Sequence, residues 1–393
     1  MPLKILLDAR HVRDFGYGTY IRNLLRGFAA IGAPHEFLLS IRSADRGELE
    51  GLPPNFRFLD YEHADTEPRD RLRFSMFARR HKPSVIHIPL ARIPLFLPRP
   101  YVVTVHDISS LVLEKGAGWR GEIEQTLLRR SLLGASAVIA VSEWTKNDVV
   151  TLLGVPPDKV RRIYGAVDPR FTRQNRIERE QAEGAEVRAE ERRRELERYG
   201  VHYPYLLYAG TIRPQKNIPR LVEAFALVRG KLQDHPVWKD LRLIIIGDEI
   251  SKYPAVRQAV IQSRVEPYVR FFGFVPIDTL RMFYESAAAF VFPSLYEGFG
   301  LPPLEAMACG TPVVCSGATS LPEVVDDAAE IVSPDNVFDI ARGILEVLLD
   351  PERRRELIER GYRRCREFRW EDTASRVLAI YEAVAGGKTL PPD

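Results

Sequence analysis

Short apolar runs rich in valine and isoleucine recur along this chain of 393 residues, and longer amphipathic or turn-rich stretches separate them. An apolar run without polar alternation reads as a strand covered on both faces, and parallel neighbours need a crossover between them, so the pattern predicts βαβ units around parallel sheets. In the first half the expected strands are Lys4 to Asp8, Phe37 to Ile41, Val85 to Ile88, Tyr101 to Val105 and Ala137 to Val141. The second half restarts with Tyr205 to Ala209, Leu241 to Ile246, Val269 to Phe272, Ala288 to Phe292 and Pro312 to Cys315. Two α/β domains are expected, in line with roughly 100 to 200 residues per domain.

Between the halves, Asn175 to Arg198 is almost all Arg, Glu and Ala, the composition of a solvated helix laced with i,i+4 pairs. The reading is therefore residues 1–170 as an N-terminal Rossmann-like domain, 171–203 as a charged helical linker, 204–370 as a second Rossmann-like domain, and 371–393 as a C-terminal helix and tail. Trp370 to Ala385 is helical by pattern, with Val377, Ile380, Tyr381 and Val384 on one side, and is expected to return to the first domain.

Charge narrows the class of partner. The net charge is +3, too small a bias over this length for a nucleic-acid wrapper, so no nucleic acid is expected. Residues 1–168 carry 24 basic and 19 acidic side chains against 32 and 34 in the rest, which puts the basicity in the first half. Within it, Arg69 to Lys82 sets Leu72, Phe74, Met76 and Phe77 among Arg71, Arg73, Arg79, Arg80 and Lys82. Such a helix is either an ordinary amphipathic element of an α/β domain or a surface for anionic lipid. Cys309, Cys315 and Cys365 form neither an even disulfide framework nor a C-x-x-C pair, which predicts a reducing compartment. Lys4 to Leu7 runs straight into Asp8 and Arg10, too short for a signal peptide, and the uncharged stretch Ala306 to Pro322 is broken by Gly310, Pro312 and Gly317. The expectation is a cytoplasmic protein with peripheral attachment at the inner face of a membrane through 69–82.

The richest stretch is Phe292 to Ala308. A strand ends near Phe292, the Gly298-Phe299-Gly300 loop follows, and Leu301, Pro302 and Pro303 lead into a helix. Proline suits a first helical turn, and free N–H groups at a helix start beyond a parallel strand attract anions. Glu305 is expected in that first turn, as a dipole partner or a ligand group, and Glu297 in the loop before it. As paired glycosidase acids the two are unsupported, because sequence sets them at neither of the separations hydrolysis needs, about 5 or about 6.5 to 9.5 Å. In the same half, Gly210-Thr211-Ile212-Arg213-Pro214-Gln215-Lys216-Asn217 runs from strand through loop into helix, and Arg213 and Lys216 suit a diphosphate. In the first half, Asp14-Phe15-Gly16-Tyr17-Gly18 opens a helix after the first strand, while His106-Asp107 and Ser142-Glu143 close later strands. Gly16 and Gly18 permit close backbone approach, although a lone G-x-G is a weak signal. His87, inside an apolar strand, reads as structural.

Together these loops resemble the family-4 retaining glycosyltransferases of the two-domain GT-B fold, over nearly the whole chain. The carriers are the E-x7-E element Glu297 to Glu305, continuing to Gly310-Thr311-Pro312-Val313-Val314, with Gly210 to Asn217, Val105-His106-Asp107, Val141 to Thr145 and Tyr164 to Asp168 in family order. The resemblance implies two Rossmann-like domains whose parallel sheets face across a cleft. It implies that Glu305 binds the nucleotide ribose, that Glu297 with Gly298, Phe299, Gly300 and Leu301 meets the donor sugar, and that Lys216 and an arginine hold the diphosphate. Thr211 stands where many members carry Arg, so Arg213 takes that part beside Gly210. Thr19 likewise stands where relatives often have Arg. His106 and the Gly16 to Gly18 turn are implied to face the reacting sugar, and the backbone near Phe274 and Val275 the base. Gly-Thr-x-x-Pro-x-Lys-Asn and Ser320-Leu321-Pro322-Glu323 look most like bacterial mannosyltransferases of surface-polysaccharide assembly.

The expected activity is transfer of a hexose, with GDP-mannose favoured as donor, to a saccharide or lipid-linked acceptor. No cofactor and no metal are expected, since no Asp-x-Asp occurs in the sequence. A nucleotide-sugar epimerase is the competing enzyme class. A phosphorylase needs a pyridoxal phosphate lysine and a longer chain. A non-catalytic nucleotide-sugar-binding protein would keep the donor loops without needing His106 or Gly16.

Overall fold

The computed structural model describes residues 2–14, 16–67, 69–90, 92–113, 118–247 and 253–393. Phe15, within the first glycine turn, lies outside the described residues. The chain divides into two compact units, one of residues 1–166 with 368–393 and one of residues 167–367.

The first unit holds a parallel sheet of β1 (Lys4–Asp8), β2 (Glu36–Ile41), β3 (Phe56–Asp60), β4 (Val85–Ile88), β5 (Tyr101–Val105), β6 (Ala137–Ala140) and β7 (Val160–Arg162). Their order is β3-β2-β1-β4-β5-β6-β7. Ile5, Leu6 and Leu7 of β1 are fully buried, as a strand covered on both faces requires. Helix Tyr17–Ala30 packs against helix Trp370–Ala385, and the close point is Gly27, where a Cβ would lie 2.7 Å from the Trp370 carbonyl oxygen. The last helix buries Ala374, Val377, Ile380 and Tyr381 in this unit. His87 sits wholly inside, its Nε2 2.8 Å from Thr104 Oγ1 and its Nδ1 hydrogen-bonded to Tyr381. Burial pushes its pKa down to about 3, which suits a neutral structural imidazole.

The second unit carries β8 (Tyr205–Ala209), β9 (Arg242–Ile246), β10 (Val269–Phe272), β11 (Ala289–Phe292), β12 (Val313–Ser316) and β13 (Glu330–Val332) in the order β10-β9-β8-β11-β12-β13, again parallel throughout. The stretch expected as a linker over 171–203 differs from that reading. It forms helices Arg173–Glu183 and Ala185–Arg198 inside the second unit, the latter tied to helix Ile277–Ser286 by Arg192 to Glu285 at 3.0 Å and Thr279 to Glu195 at 3.1 Å. The expected solvated character holds, since Leu196 alone is buried in the two helices, and what joins them to the second unit is ionic rather than apolar.

Gly27→Leu is expected to lower stability by about 1 to 3 kcal/mol, the cost of overpacking a tight contact, measured as a shifted urea midpoint at unchanged m.

Candidate active site

In the second unit the sheet winds in both directions from β8, whose neighbours are β9 and β11. The connections after β8 and β11 therefore leave towards opposite faces, and a crevice opens beyond the carboxyl ends of the two strands. The loop after β8 brings Arg213, Gln215 and Lys216, and the loop after β11 brings Ser294 to Gly300. Two clamps hold the loops in register. The Leu295 N–H donates to the Gln215 carbonyl at 2.7 Å, and Asn217, left-handed at φ 61, donates through Nδ2 to Pro293 O at 3.0 Å and Pro334 O at 2.7 Å.

Across this crevice Lys216 Nζ lies 2.6 Å from Glu297 Oε1 and 2.8 Å from Oε2, with 16% and 10% of the two side chains exposed. The ammonium also sits 5.5 Å from the centre of the Phe292 ring. A lysine has three N–H donors, so pairing with one carboxylate leaves capacity for a further anionic oxygen. Arg213 is exposed in extended backbone and makes no ion pair among the described residues. Gly210 and Thr211 precede it, with Tyr208 donating to the Thr211 carbonyl at 3.0 Å. This loop crosses the end of β9 at Gly247, where a Cβ would stand 2.2 Å from the Gly210 carbonyl oxygen.

The glycine loop is fastened from below. The Glu297 N–H donates to Thr319 Oγ1 at 3.0 Å, and Ser320 Oγ lies 2.9 and 3.1 Å from the carbonyls of Glu297 and Phe299. Thr319 holds φ 55, uncommon for a β-branched residue and a mark of an over-determined site. Gly300 closes the loop at φ 107, with Leu321 Cδ2 2.7 Å from where its Cβ would be. Helix Leu301–Ala308 starts directly after it, so the expectation for Glu305 is corrected: the carboxylate stands fifth in the helix and beyond the first turn. There Tyr284 donates its hydroxyl to Glu305 Oε2 at 3.0 Å. Burial, and then the nearby Asp168 carboxylate, push the Glu305 pKa up to about 7, against the Tyr284 hydrogen bond and Arg170. Ser294 Oγ, at the mouth of β11, is buried without a hydrogen-bond partner among the described residues. In the loop after β10, Phe274 is 74% exposed while Val275 is buried, so of the two Phe274 offers side-chain surface.

In the first unit, Gly16 (φ 76) starts helix Tyr17–Ala30, and a Cβ on Gly18 would stand 2.4 Å from the Val12 carbonyl oxygen. His106, after β5, meets this turn: Tyr17 and Tyr20 face its ring edge-on at 4.8 and 4.7 Å. Burial lowers its pKa to about 4, opposed by Asp107 and a hydrogen bond to the Pro89 backbone, so the imidazole is neutral near pH 7. Its Nε2 is buried with no hydrogen-bond partner among the described residues. The candidate residues thus form one group in the second unit, and His106 with Gly16 and Gly18 a second in the first. Sequence reasoning missed Tyr284, Thr319, Ser320 as the fastener of the glycine loop, Asn217 as a clamp, Gly247, and Tyr17 and Tyr20 as the walls of His106. No group of three or more potential metal ligands is present among the described residues.

Residues 16–171 match the family model described as Glycosyltransferase Family 4, and residues 190–364 that of Glycosyl transferases group 1. The chain is 34% identical over 308 residues to O-antigen chain mannosyltransferase B of Escherichia coli, a match covering 77% of this chain and 75% of that protein. Among solved structures, sucrose-phosphate synthase of Thermosynechococcus elongatus superposes with a TM-score of 0.75 at 20% identity, over 98% of this chain and 99% of that one. HepE of Anabaena, in complex with UDP and glucose, superposes at 0.72 with 16% identity, over 95% and 98%. At these identities the two structures speak to the fold.

The Glu305 carboxyl holds its proton to higher pH in the folded chain than in the unfolded one, so its contribution to stability is lost as pH rises from about 4.5 through about 7. Glu305→Gln, which still accepts from Tyr284, is expected to raise stability by on the order of 1 to 3 kcal/mol at pH 8 and to change it little at pH 4.5, in urea unfolding at the two pH values.

Proposed function

The chain belongs to the family-4, group 1 glycosyltransferases of GT-B fold, and from that premise we propose that it transfers mannose from GDP-mannose, with retention of anomeric configuration, to a saccharide or lipid-linked acceptor in surface-polysaccharide assembly. The observation that carries this reading is the Lys216 and Glu297 pair, one side chain from each loop at the crevice of the second sheet. The mannosyl donor is favoured by the likeness to the E. coli mannosyltransferase over three quarters of its length. A nucleotide-sugar partner is favoured by the HepE structure, which holds UDP and glucose.

The proposed division of work follows from the environments of the residues. Lys216 is pre-positioned by Glu297 and by the Phe292 ring, so it meets the donor diphosphate with little reorganisation. Arg213 and the backbone N–H groups of Gly300 and Leu301, at a helix start where Pro302 and Pro303 supply none, add donors without a metal. Glu297 addresses the sugar hydroxyls, with the backbone of Gly298 to Leu301 beside it. Glu305 accepts from the ribose hydroxyls in its ionised form, and Tyr284 fixes its rotamer. Phe274 offers its exposed ring to the base. His106 in the first unit serves as a neutral hydrogen-bonding group, since burial holds it uncharged. The departing diphosphate acts as base for the acceptor hydroxyl.

The deciding experiment measures nucleoside diphosphate release from GDP-mannose and from UDP-glucose, with and without an acceptor extract, and follows the first-formed product by NMR. Acceptor-dependent release from GDP-mannose with an unchanged anomeric configuration is expected. Release from UDP-glucose alone would overturn the donor, and inversion the stereochemistry.

Two predictions follow from the same geometry. Lys216→Ala should lose kcat by roughly 10²-fold or more, the scale of a lost electrostatic donor, and wild-type initial rates should persist in excess EDTA. Turnover abolished by EDTA and restored by magnesium contradicts leaving-group stabilisation by protein alone. Secondly, helix Asp70–His81 leaves Leu72 51% and Met76 59% exposed beside Arg71, Arg73, Arg79 and Arg80, which supports peripheral binding to anionic lipid. At about 1 kcal/mol per basic residue, a fourfold Arg→Gln change should sharply reduce liposome co-sedimentation at low salt. No change with either salt or substitution leaves a solvated helix.

A further inference from the structure

Arg281, on helix Ile277–Ser286, is only 2% exposed, a rare position for a side chain that stays charged. Its Nη1 reaches Glu285 Oε1 at 3.4 Å, while Nη2 stands 3.8 Å from Asp278 Oδ1, outside hydrogen-bond range. Among the described residues, its Nε and Nη2 are buried without hydrogen-bond partners, and so is Nε of Arg176, whose ion pair with Glu180 at 3.6 Å lies beyond hydrogen-bond range. Buried polar groups are nearly always paired, so three orphaned donors here point to a missing acceptor.

The surroundings specify what that acceptor is. Arg176, Arg188, Arg192 and Arg281 line one small cavity with only Glu180 and Glu285 as carboxylates, an excess of two positive charges. The carboxylates that pair with the outer sides of this cluster, Glu183, Glu191 and Asp278, are 46, 47 and 56% exposed and face water. Burial lowers the proton affinity of Arg281, and among the surrounding charges Glu285 and Asp278 oppose the shift while Arg179 and Arg188 add to it. The cavity encloses about 10 Å³, roughly one water-sized sphere. A water offers two acceptor lone pairs and no charge. A monatomic anion accepts from all sides at once and offsets the excess, whereas an oxyanion is too large.

We infer that this cavity, among helices Arg173–Glu183, Ala185–Arg198 and Ile277–Ser286, is a binding site for a small monovalent anion of the chloride class. The ion joins the charged helical insertion to the helix that carries Tyr284, through arginines that the donor site does not use.

The test compares the full chain in sodium chloride and sodium gluconate at equal ionic strength, and locates the ion by anomalous scattering from crystals soaked in bromide. At ten times the dissociation constant, chloride should raise the melting temperature by roughly 2 °C over gluconate. A bromide peak should stand within contact of Arg281 and Arg176. Arg281→Met should lose the chloride-specific gain. Arg176→Gln, at the half-exposed rim, should weaken it and serves if the first variant does not fold. Equal melting temperatures in the two salts together with a water at the position in the bromide crystals would overturn the proposal. So would a chloride gain that both variants retain.

Discussion

A parallel sheet that winds outward in both directions from its first strand leaves one place uncovered by helices, and Lys216 and Glu297 meet there. Because β9 and β11 flank β8 on opposite sides, the loops after β8 and β11 separate as they leave the sheet. Lys216 comes from one and Glu297 from the other. Had the sheet wound in one direction only, both connections would leave on the same face and no crevice would open between them. The backbone bond from Leu295 to Gln215 and the two bonds of Asn217 then convert a topological gap into a defined geometry.

Two glutamates eight positions apart show how strongly surroundings set chemical character. Glu297 is paired with an ammonium and bound at its backbone by Thr319, so its charge is held in place. Glu305 has a phenol for a partner and Asp168 for a neighbour, and burial pushes its pKa up to about 7. A carboxylate compensated by a cation keeps a fixed pose, whereas one near its midpoint at neutral pH makes stability respond to proton concentration.

The interior strands and both chemical loops were legible from sequence, because a strand buried on two faces must be a continuous apolar run and a strand-to-helix loop rich in glycine is conspicuous. The strands that escaped notice, β3, β7 and β13, are all sheet edges. One face or one side of an edge strand meets water, so Phe56–Asp60 and Val160–Arg162 mix charge with apolar residues and lose the signature. Glu305 falls one residue past the expected first turn because the left-handed Gly300 starts the helix at Leu301, a backbone choice that composition does not reveal. Tyr284 and Thr319 were invisible for another reason. Each reaches its glutamate across about twenty residues, and nothing local marks a tyrosine or a threonine for such a contact.

Helix Trp370–Ala385 belongs to the first unit although the whole second unit lies between them in the chain, and this bears on how the first unit assembles. Residues 1–166 by themselves lack Val377, Ile380 and Tyr381 from their core, and His87 lacks its phenolic partner. The second unit, 167–367, is contiguous and holds its own core without them. The N-terminal sheet closes its core only when helix Trp370–Ala385 reaches the apolar face of helix Tyr17–Ala30, a pairing of elements far apart in sequence, so loss of that helix costs the first unit more than the second.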